Sequence, residues 1–295
     1  MSICWLNGDL LPVENAKISV MDHGLLYGDG VFEGIRFYHQ QAFRLQTHLK
    51  RLFDSARAIQ LDIPYSLSQL EKAVDDIIQA SSDEAGYLRL IVTRGVGPLG
   101  INPEQCAAGS VIIIAASSSF VSERVLNEGA RLIIATTRRI SPDCLDPRIK
   151  SLNYLNHILA RQEANAVKAD EAILLNSRGH VTEGSTDNIF IVKNHCLLTP
   201  PVTDGALEGV TRGVILELAE KLGLAHRIQT LSPYDLYNAD ECFLTGTAME
   251  LIPVNEIDGR RLKHCPGEMF NTLSMAFKNQ IDQETLAPEL KRASS

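Results

Sequence analysis

The chain has 295 residues, 45% hydrophobic and 22% charged, the proportions of an ordinary folded protein, which excludes intrinsic disorder and collagen-like repeats. Its 28 Lys and Arg against 36 Asp and Glu give a formal charge of −8, so it lacks the basic footprint of a nucleic-acid binder. No apolar run reaches the roughly 18 residues of a membrane span. The start, Met1-Ser-Ile-Cys-Trp-Leu, has neither the basic nor the long apolar region of a signal peptide, so a cytoplasmic location is expected.

At about 150 residues per domain, two domains are expected. Residues 30–38, Gly-Val-Phe-Glu-Gly-Ile-Arg-Phe-Tyr, are rich in β-branched and aromatic types and predict a strand. Apolar residues at Leu49, Leu52, Phe53, Ala56 and Ile59 keep the helical period and predict a helix over Thr47 to Leu61. A second helix is expected over Leu67 to Ala80, then strands over 87–94 and 111–116. Ser117-Ser-Ser-Phe-Val-Ser is small and polar, which predicts a linker. We place a small α+β domain at 1–118, the linker at 119–126 and a larger domain at 127–295. In the larger one, strands are expected at Ala130 to Thr137, Glu171 to Asn176, Asn188 to Lys193 and Glu241 to Leu244. Helices are expected near Asn153 to Val167, Arg212 to Leu222 and Gly267 to Gln280, and Pro288 to Ser295 should fray. The fold class is α+β in two domains, with a cleft between them.

Six cysteines lie no closer together than 23 residues, Cys242 to Cys265. That spacing offers no C-x-x-C pair and no disulfide framework. His195-Cys196 and His264-Cys265 are adjacent, but neighbours on a strand point to opposite faces. No metal site is expected.

Several residues could carry chemistry. Lys150 lies between a Pro-containing loop and a helix start; by itself it reads as a solvated lysine, although a partly desolvated amine could form a Schiff base. Glu183 precedes a run of small and polar residues, which suits a surface turn or a carboxylate held for a protonated ring nitrogen. Gly209-Val-Thr-Arg opens a helix whose free N–H groups and dipole favour an anion such as phosphate, with Thr211 otherwise only a cap. Thr245-Gly-Thr-Ala offers another turn of free amides. Strand periodicity places Tyr87 and Arg89 on one face, and likewise Phe32, Gly34, Arg36 and Tyr38. Such faces are commonly solvated, or two of them could wall a carboxylate pocket.

Taken together, these stretches resemble the class IV, fold type IV, pyridoxal-phosphate aminotransferases over nearly the whole chain. The matching segments begin with Tyr27-Gly-Asp-Gly-Val-Phe-Glu-Gly-Ile-Arg, His48-Leu-Lys-Arg-Leu and Tyr87-Leu-Arg. They continue through Ile149-Lys-Ser-Leu-Asn-Tyr-Leu-Asn, Thr182-Glu-Gly-Ser-Thr-Asp-Asn-Ile-Phe, Leu207-Glu-Gly-Val-Thr-Arg and Gly246-Thr-Ala-Met-Glu. The resemblance implies that pyridoxal 5'-phosphate is the cofactor and that Lys150 is its Schiff-base lysine and the proton carrier. It implies that Glu183 pairs with the pyridinium nitrogen, keeping the ring an electron sink. Arg51, the amides of Val210 and Thr211, and Thr247 would hold the phosphate; Leu207 would pack on the ring, and Tyr154 would reach its phenolic oxygen. The family also implies a homodimer or higher homo-oligomer, with the active site at the domain and subunit junction.

Within the family, Phe32 to Arg36, Tyr87 with Arg89, and Tyr154 are similar to the branched-chain amino acid aminotransferases. D-amino acid aminotransferases hold the carboxylate with an arginine and a histidine in the loop after the 87–94 strand, and Gly95-Val-Gly-Pro-Leu-Gly-Ile-Asn-Pro has neither. Lys150-Ser-Leu-Asn, however, also occurs in that branch. The expected reaction exchanges the amino group of leucine, isoleucine or valine with 2-oxoglutarate. Phe32, Tyr27 and Tyr154 would form the apolar wall, with Arg36 on the same strand. Arg89 and the Tyr27 hydroxyl would take the distal carboxylate, and Tyr87 with the amides of Thr247 and Ala248 the α-carboxylate. The alternatives are a D-amino acid aminotransferase, an aminodeoxychorismate lyase, or a non-catalytic small-molecule binding module.

Overall fold

In the first third of the chain, short alternating segments build an antiparallel sheet flanked by helices. The computed structural model describes residues 3–81, 83–116 and 121–286. Residues 117–120, in and before the expected linker, and Pro288 to Ser295, expected to fray, lie outside the described residues.

The chain divides into two compact units, one of residues 1–118, 149–153 and 280–295, the other of 119–148 and 154–279. The first contains β1 (Ile3–Leu6), β2 (Asp9–Pro12), α1 (His23–Tyr27), β3 (Gly30–Tyr38), β4 (Gln41–Ala42), α2 (Leu45–Ala58), α3 (Leu67–Ser81), β5 (Gly86–Thr93) and β6 (Val111–Ala116). Its six strands run in the order β2-β1-β6-β5-β3-β4. Val31, Ile35 and Phe37 on β3 and Leu88, Leu90 and Val92 on β5 point to one core. Leu49, Leu52 and Ala56 of α2, with Leu70, Val74, Ile77 and Ile78 of α3, close that core from above the sheet. Both helices thus bury a stripe at the helical period. α2 starts two residues before the expected helix and ends earlier, because Gln60 takes a left-handed conformation at φ 52°.

The segment 149–153 is counted with this first unit for a local reason. Phe32 N–H donates to the Lys150 carbonyl at 2.9 Å and Leu152 N–H to the Gly30 carbonyl at 3.0 Å. These bonds lay the segment along the edge of β3 that faces away from β5, a long-range pairing that a cut at 119–126 does not represent.

The second unit holds α4 (Glu123–Glu128), β7 (Ala130–Ile134), α5 (Leu155–Ala166), β8 (Glu171–Leu175), β9 (Val181–Gly184), β10 (Asn188–Lys193), β11 (Cys196–Thr199), α6 (Val210–Lys221), β12 (His226–Ile228), α7 (Pro233–Tyr237), β13 (Glu241–Gly246), β14 (Glu250–Ile257), β15 (Arg260–Arg261) and most of α8 (Glu268–Thr285). Its mixed sheet runs β12-β11-β10-β13-β14-β7-β8-β9, with β15 on β14. One face carries the aliphatic cluster of Leu132, Ile173, Ile189, Leu244 and Val254. Phe190 and Phe243 stack at 5.2 Å between ring centroids. Part of the expected linker is helical: Ser122 caps α4 by accepting from Val125 N–H, and Val125 is buried. A serine that reads as linker chemistry in the sequence is here an N-cap. Among the described residues no helix is long and apolar enough to cross a membrane.

Candidate active site

The candidate residues fall into two sets, one in each unit. In the first unit, the β3–β5 register pairs Gly34 with Arg89 and Arg36 with Tyr87. Directly opposed residues share a face, so Phe32, Arg36, Tyr87 and Arg89 stand on the same side of the sheet. The Arg89 guanidinium carbon lies 4.3 Å from the centroid of the Phe32 ring and 5.9 Å from that of Tyr87. Gly34 makes room for this arrangement, because a Cβ there would sit 2.2 Å from the Tyr87 hydroxyl. Lys150, half-buried, joins the cluster from the 149–153 segment, its Nζ 4.6 Å from the centroid of Phe32. Its backbone is held on the other side, where Lys150 N–H donates to Ser55 Oγ of α2 at 3.1 Å.

Arg36 and Tyr27 are placed differently. Arg36 lies 5.1 Å over the ring of Tyr38. Tyr27 is 39% exposed, and its hydroxyl accepts the Gly100 N–H at 2.9 Å. Tyr27 and Arg89 are the two groups expected to take the distal carboxylate together. Tyr27 ends the short helix α1, and its ring stands edge-on to His23 at 4.9 Å.

On the opposite face of β3, Glu33 is buried among aliphatic side chains and held by two partners from α2. Arg51 donates from Nε and an Nη at 2.7 and 2.8 Å, and His48 Nδ1 lies 2.7 Å from Glu33 Oε2. Burial alone would raise the Glu33 carboxyl, but the Arg51 guanidinium and the His48 contact outweigh it and hold it well below the usual carboxylate range. His48 is pushed the other way, its burial disfavouring the charged ring more than Glu33 favours it. Sequence reasoning singled out Arg51 but missed Glu33 and His48. The signal was available: Glu33 sits between Val31 and Ile35 on the core face at period two, and a carboxylate there needs a cation.

In the second unit, Glu183 lies on β9 opposite Leu174. Its Oε1 accepts from Arg139 Nε at 2.9 Å and its Oε2 from Leu207 N–H at 2.8 Å. His157 Nε2 is 3.9 Å from Oε1, and the His157 ring stacks on Tyr154 at 4.4 Å. Burial works against charge on Glu183, yet the His157, Arg139 and Leu207 interactions prevail and hold it below the ordinary range. Arg139 and His157 were not foreseen, and no short motif marks either.

Asn188 braces the turn that precedes α6. Its Nδ2 donates to the Leu207 carbonyl at 2.9 Å, and a Cβ on Gly209 would meet its Oδ1 at 1.9 Å. Gly209 is therefore required by close approach, and α6 opens on Val210 and Thr211, both buried. The first amides of a helix have no intrahelical acceptor. Asn188 also pairs with Thr245 across the β10–β13 ladder, which brings the half-buried Thr247–Ala248 turn to the same end of the sheet. A buried carboxylate kept ionised suits a protonated ring nitrogen. The glycine-tight helix start beside a second turn of amides suits a phosphate. The residues of this unit thus fit a phosphorylated pyridine. Among the described residues no cluster of three His, Cys, Asp or Glu is placed to hold a metal.

The sequence model of the class IV amino-transferase family matches residues 30–257. A putative branched-chain-amino-acid aminotransferase of Methanocaldococcus jannaschii is 45% identical over 276 residues, 93% of this chain and 95% of that one. The crystal structure of the Escherichia coli branched-chain amino acid aminotransferase superposes with a TM-score of 0.92 at 34% identity, covering 97% of this chain and 96% of that one. The T.th. branched-chain amino acid aminotransferase complexed with N-(5'-phosphopyridoxyl)-L-glutamate gives 0.90 at 34% identity, covering 97% and 95%.

Proposed function

The chain belongs to the class IV aminotransferases, and we propose that it transfers the amino group of leucine, isoleucine or valine to 2-oxoglutarate with pyridoxal 5'-phosphate as cofactor. When bound, that cofactor supplies a ring that accepts the electrons released as the substrate Cα–H bond breaks. The protein's part is to bind, orient and move one proton. Lys150 Nζ, set against Phe32, is the group we assign to holding the cofactor and carrying that proton. Glu183, kept anionic by Arg139 and the Leu207 amide, would hold a proton on the ring nitrogen. Arg51, the amides of Val210 and Thr211, and Thr247 are assigned to the phosphate. Leu207 is assigned to the ring face and Tyr154 to the phenolic oxygen.

The observation that carries the substrate reading is the Phe32 ring, which touches both Lys150 and Arg89. An apolar wall and a cation side by side suit a pocket that takes an aliphatic side chain in one half-reaction and a second carboxylate in the other. Tyr87, with the amides of Thr247 and Ala248, is assigned to the α-carboxylate. The likeness to an enzyme crystallised with a phosphopyridoxyl-glutamate supports the glutamate half. A homodimer is part of this reading, supported by the family resemblance.

The test is a donor panel of L-leucine, D-alanine and an aromatic (R)-amine against 2-oxoglutarate. Turnover should be dominated by L-leucine. D-alanine as the preferred donor would move the chain to the D-amino acid branch, and a colourless, inactive protein would favour a binding module.

A further inference from the structure

The turn that joins β9 to β10 gathers three buried carboxyl groups: Glu171 at the start of β8, Glu183 on β9 and Asp187 in the turn itself. They are 3%, 5% and 5% exposed. Two of them have arginine partners. Glu183 is paired with Arg139 at 2.9 Å, and Glu171 Oε2 with Arg161 at 2.9 Å. The other oxygen of Glu171 accepts the Ala172 and Ser185 amides at 2.6 and 3.3 Å.

Asp187 has no cation within ion-pair distance among the described residues. Its Oδ1 is buried without a partner, and its Oδ2 has the Thr186 hydroxyl at 3.5 Å. The Glu171 carboxylate is a neighbour across the same turn, whose Ser185 amide it accepts, and it pushes the Asp187 carboxyl up. An isolated buried carboxylate is costly enough that the group takes up a proton instead. Two carboxyl groups in contact cannot both remain ionised without penalty.

We propose that Asp187 is the neutral member of this cluster, donating its proton to Glu171 so that the negative charges stay on Glu171 and Glu183, each beside its own arginine. Asp187 is then a positioning residue. Gly184 N–H donates to the Asp187 carbonyl at 2.7 Å, which closes the turn between Glu183 and Asn188. Space is tight, since a Cβ on Gly184 would sit 2.0 Å from Asp187 Oδ1. Burial raises the Asp187 carboxyl most, then the Glu171 charge and hydrogen bond, then the Glu183 charge, and these outweigh the opposing Arg161 charge. From β13, Cys242 is a buried thiol pushed far up by its own burial first, and so carries no charge. Environments that push neighbouring carboxyls apart sort them into donor and anion. Here the sorting leaves Glu183 as the anion. The functional consequence rests on the role given to Glu183 above, whereas the protonation of Asp187 does not.

The test uses Asp187→Asn, a neutral donor of the same shape, in two measurements independent of turnover. The infrared spectrum of the wild-type enzyme in D2O at neutral pH should contain the carbonyl stretch of a buried carboxylic acid, and the variant should lack it. Stability should also diverge. A carboxyl protonated when folded but ionised when unfolded costs about tenfold in the folded-to-unfolded ratio per pH unit above its unfolded value of about 3.9, until it ionises in the folded chain. The variant should therefore fold normally and gain on wild type as pH rises. A missing band, parallel stability curves, or a variant that fails to fold would each overturn the proposal. None of these outcomes bears on whether Glu183 serves the ring nitrogen, which its own substitution reads.

Discussion

Arg139 Nε donates to Glu183 Oε1 over 2.9 Å, and the two side chains are 9% and 6% exposed. The pair forms because Arg139 N–H donates to the Leu175 carbonyl at 2.9 Å, carrying the chain past β7 alongside β8, next to β9. Buried ion pairs of this kind set which protonation state a carboxyl keeps.

If Arg139 is what keeps Glu183 ionised, Arg139→Met should move the acidic limb of the turnover–pH profile upward, because burial then acts on Glu183 with less opposition. Glu183→Gln should retain cofactor but slow transamination roughly a hundredfold or more, at about 1.4 kcal/mol per decade. Rapid-quench turnover across pH reads both. Near-normal turnover in the glutamine variant would remove Glu183 from the mechanism.

Lys150→Ala should abolish turnover and the yellow colour of the loaded enzyme. No other lysine follows the family pattern, so none should substitute. A borohydride-reducible linkage persisting elsewhere in the variant, located by peptide mass, would reassign the role.

Arg89→Leu should damage the glutamate and 2-oxoglutarate half-reaction far more than the leucine half-reaction. Charge-assisted hydrogen bonds are worth about 1.5–3 kcal/mol, roughly tenfold to a hundredfold in kcat/KM. Leucine brings no second carboxylate, and Arg89 would still be replaced by a side chain able to pack on Phe32. Single-turnover rates with each donor decide the matter, and equal losses would move Arg89 to the α-carboxylate.

Glu33→Ala should destabilise the fold by about 3–5 kcal/mol, the range for removing one member of a buried ionic pair, since it strips Arg51 and His48 of their shared acceptor. The folded Glu33 carboxyl is held well below its unfolded value. Its contribution is therefore present above about pH 4.3 and is lost as pH falls toward the folded value. Denaturant unfolding at neutral and acidic pH should show the gap between wild type and variant narrowing on the acid side. A constant gap would mean that the loss is packing alone.

Local pattern determined much of this protein. The strand over 30–38 and the strand over 188–193 have the expected limits, because alternation and β-branched content are properties of neighbours. Period two also placed Tyr87 with Arg89, and Phe32 with Arg36, on common faces before any pairing was known. Short motifs pointed to Lys150, Glu183 and the α6 start. What the pattern could not carry is partnership across the chain. Glu33 needed α2 to bring Arg51, and Glu183 needed the stretch after β7 to bring Arg139. Tyr27 needed a distant loop to bring the Gly100 amide that its hydroxyl accepts. β14, with Pro253 and Asn255 interrupting its apolar run, was missed because its pairing with β13 and β7 overrides its weak local preference. Propensity and periodicity act over a few residues, whereas the charge state of a buried carboxyl depends on which cation the tertiary fold sets within a few ångströms of it. The sequence alone determined which residues could do chemistry; only the tertiary structure decided which of the buried acids have arginines beside them.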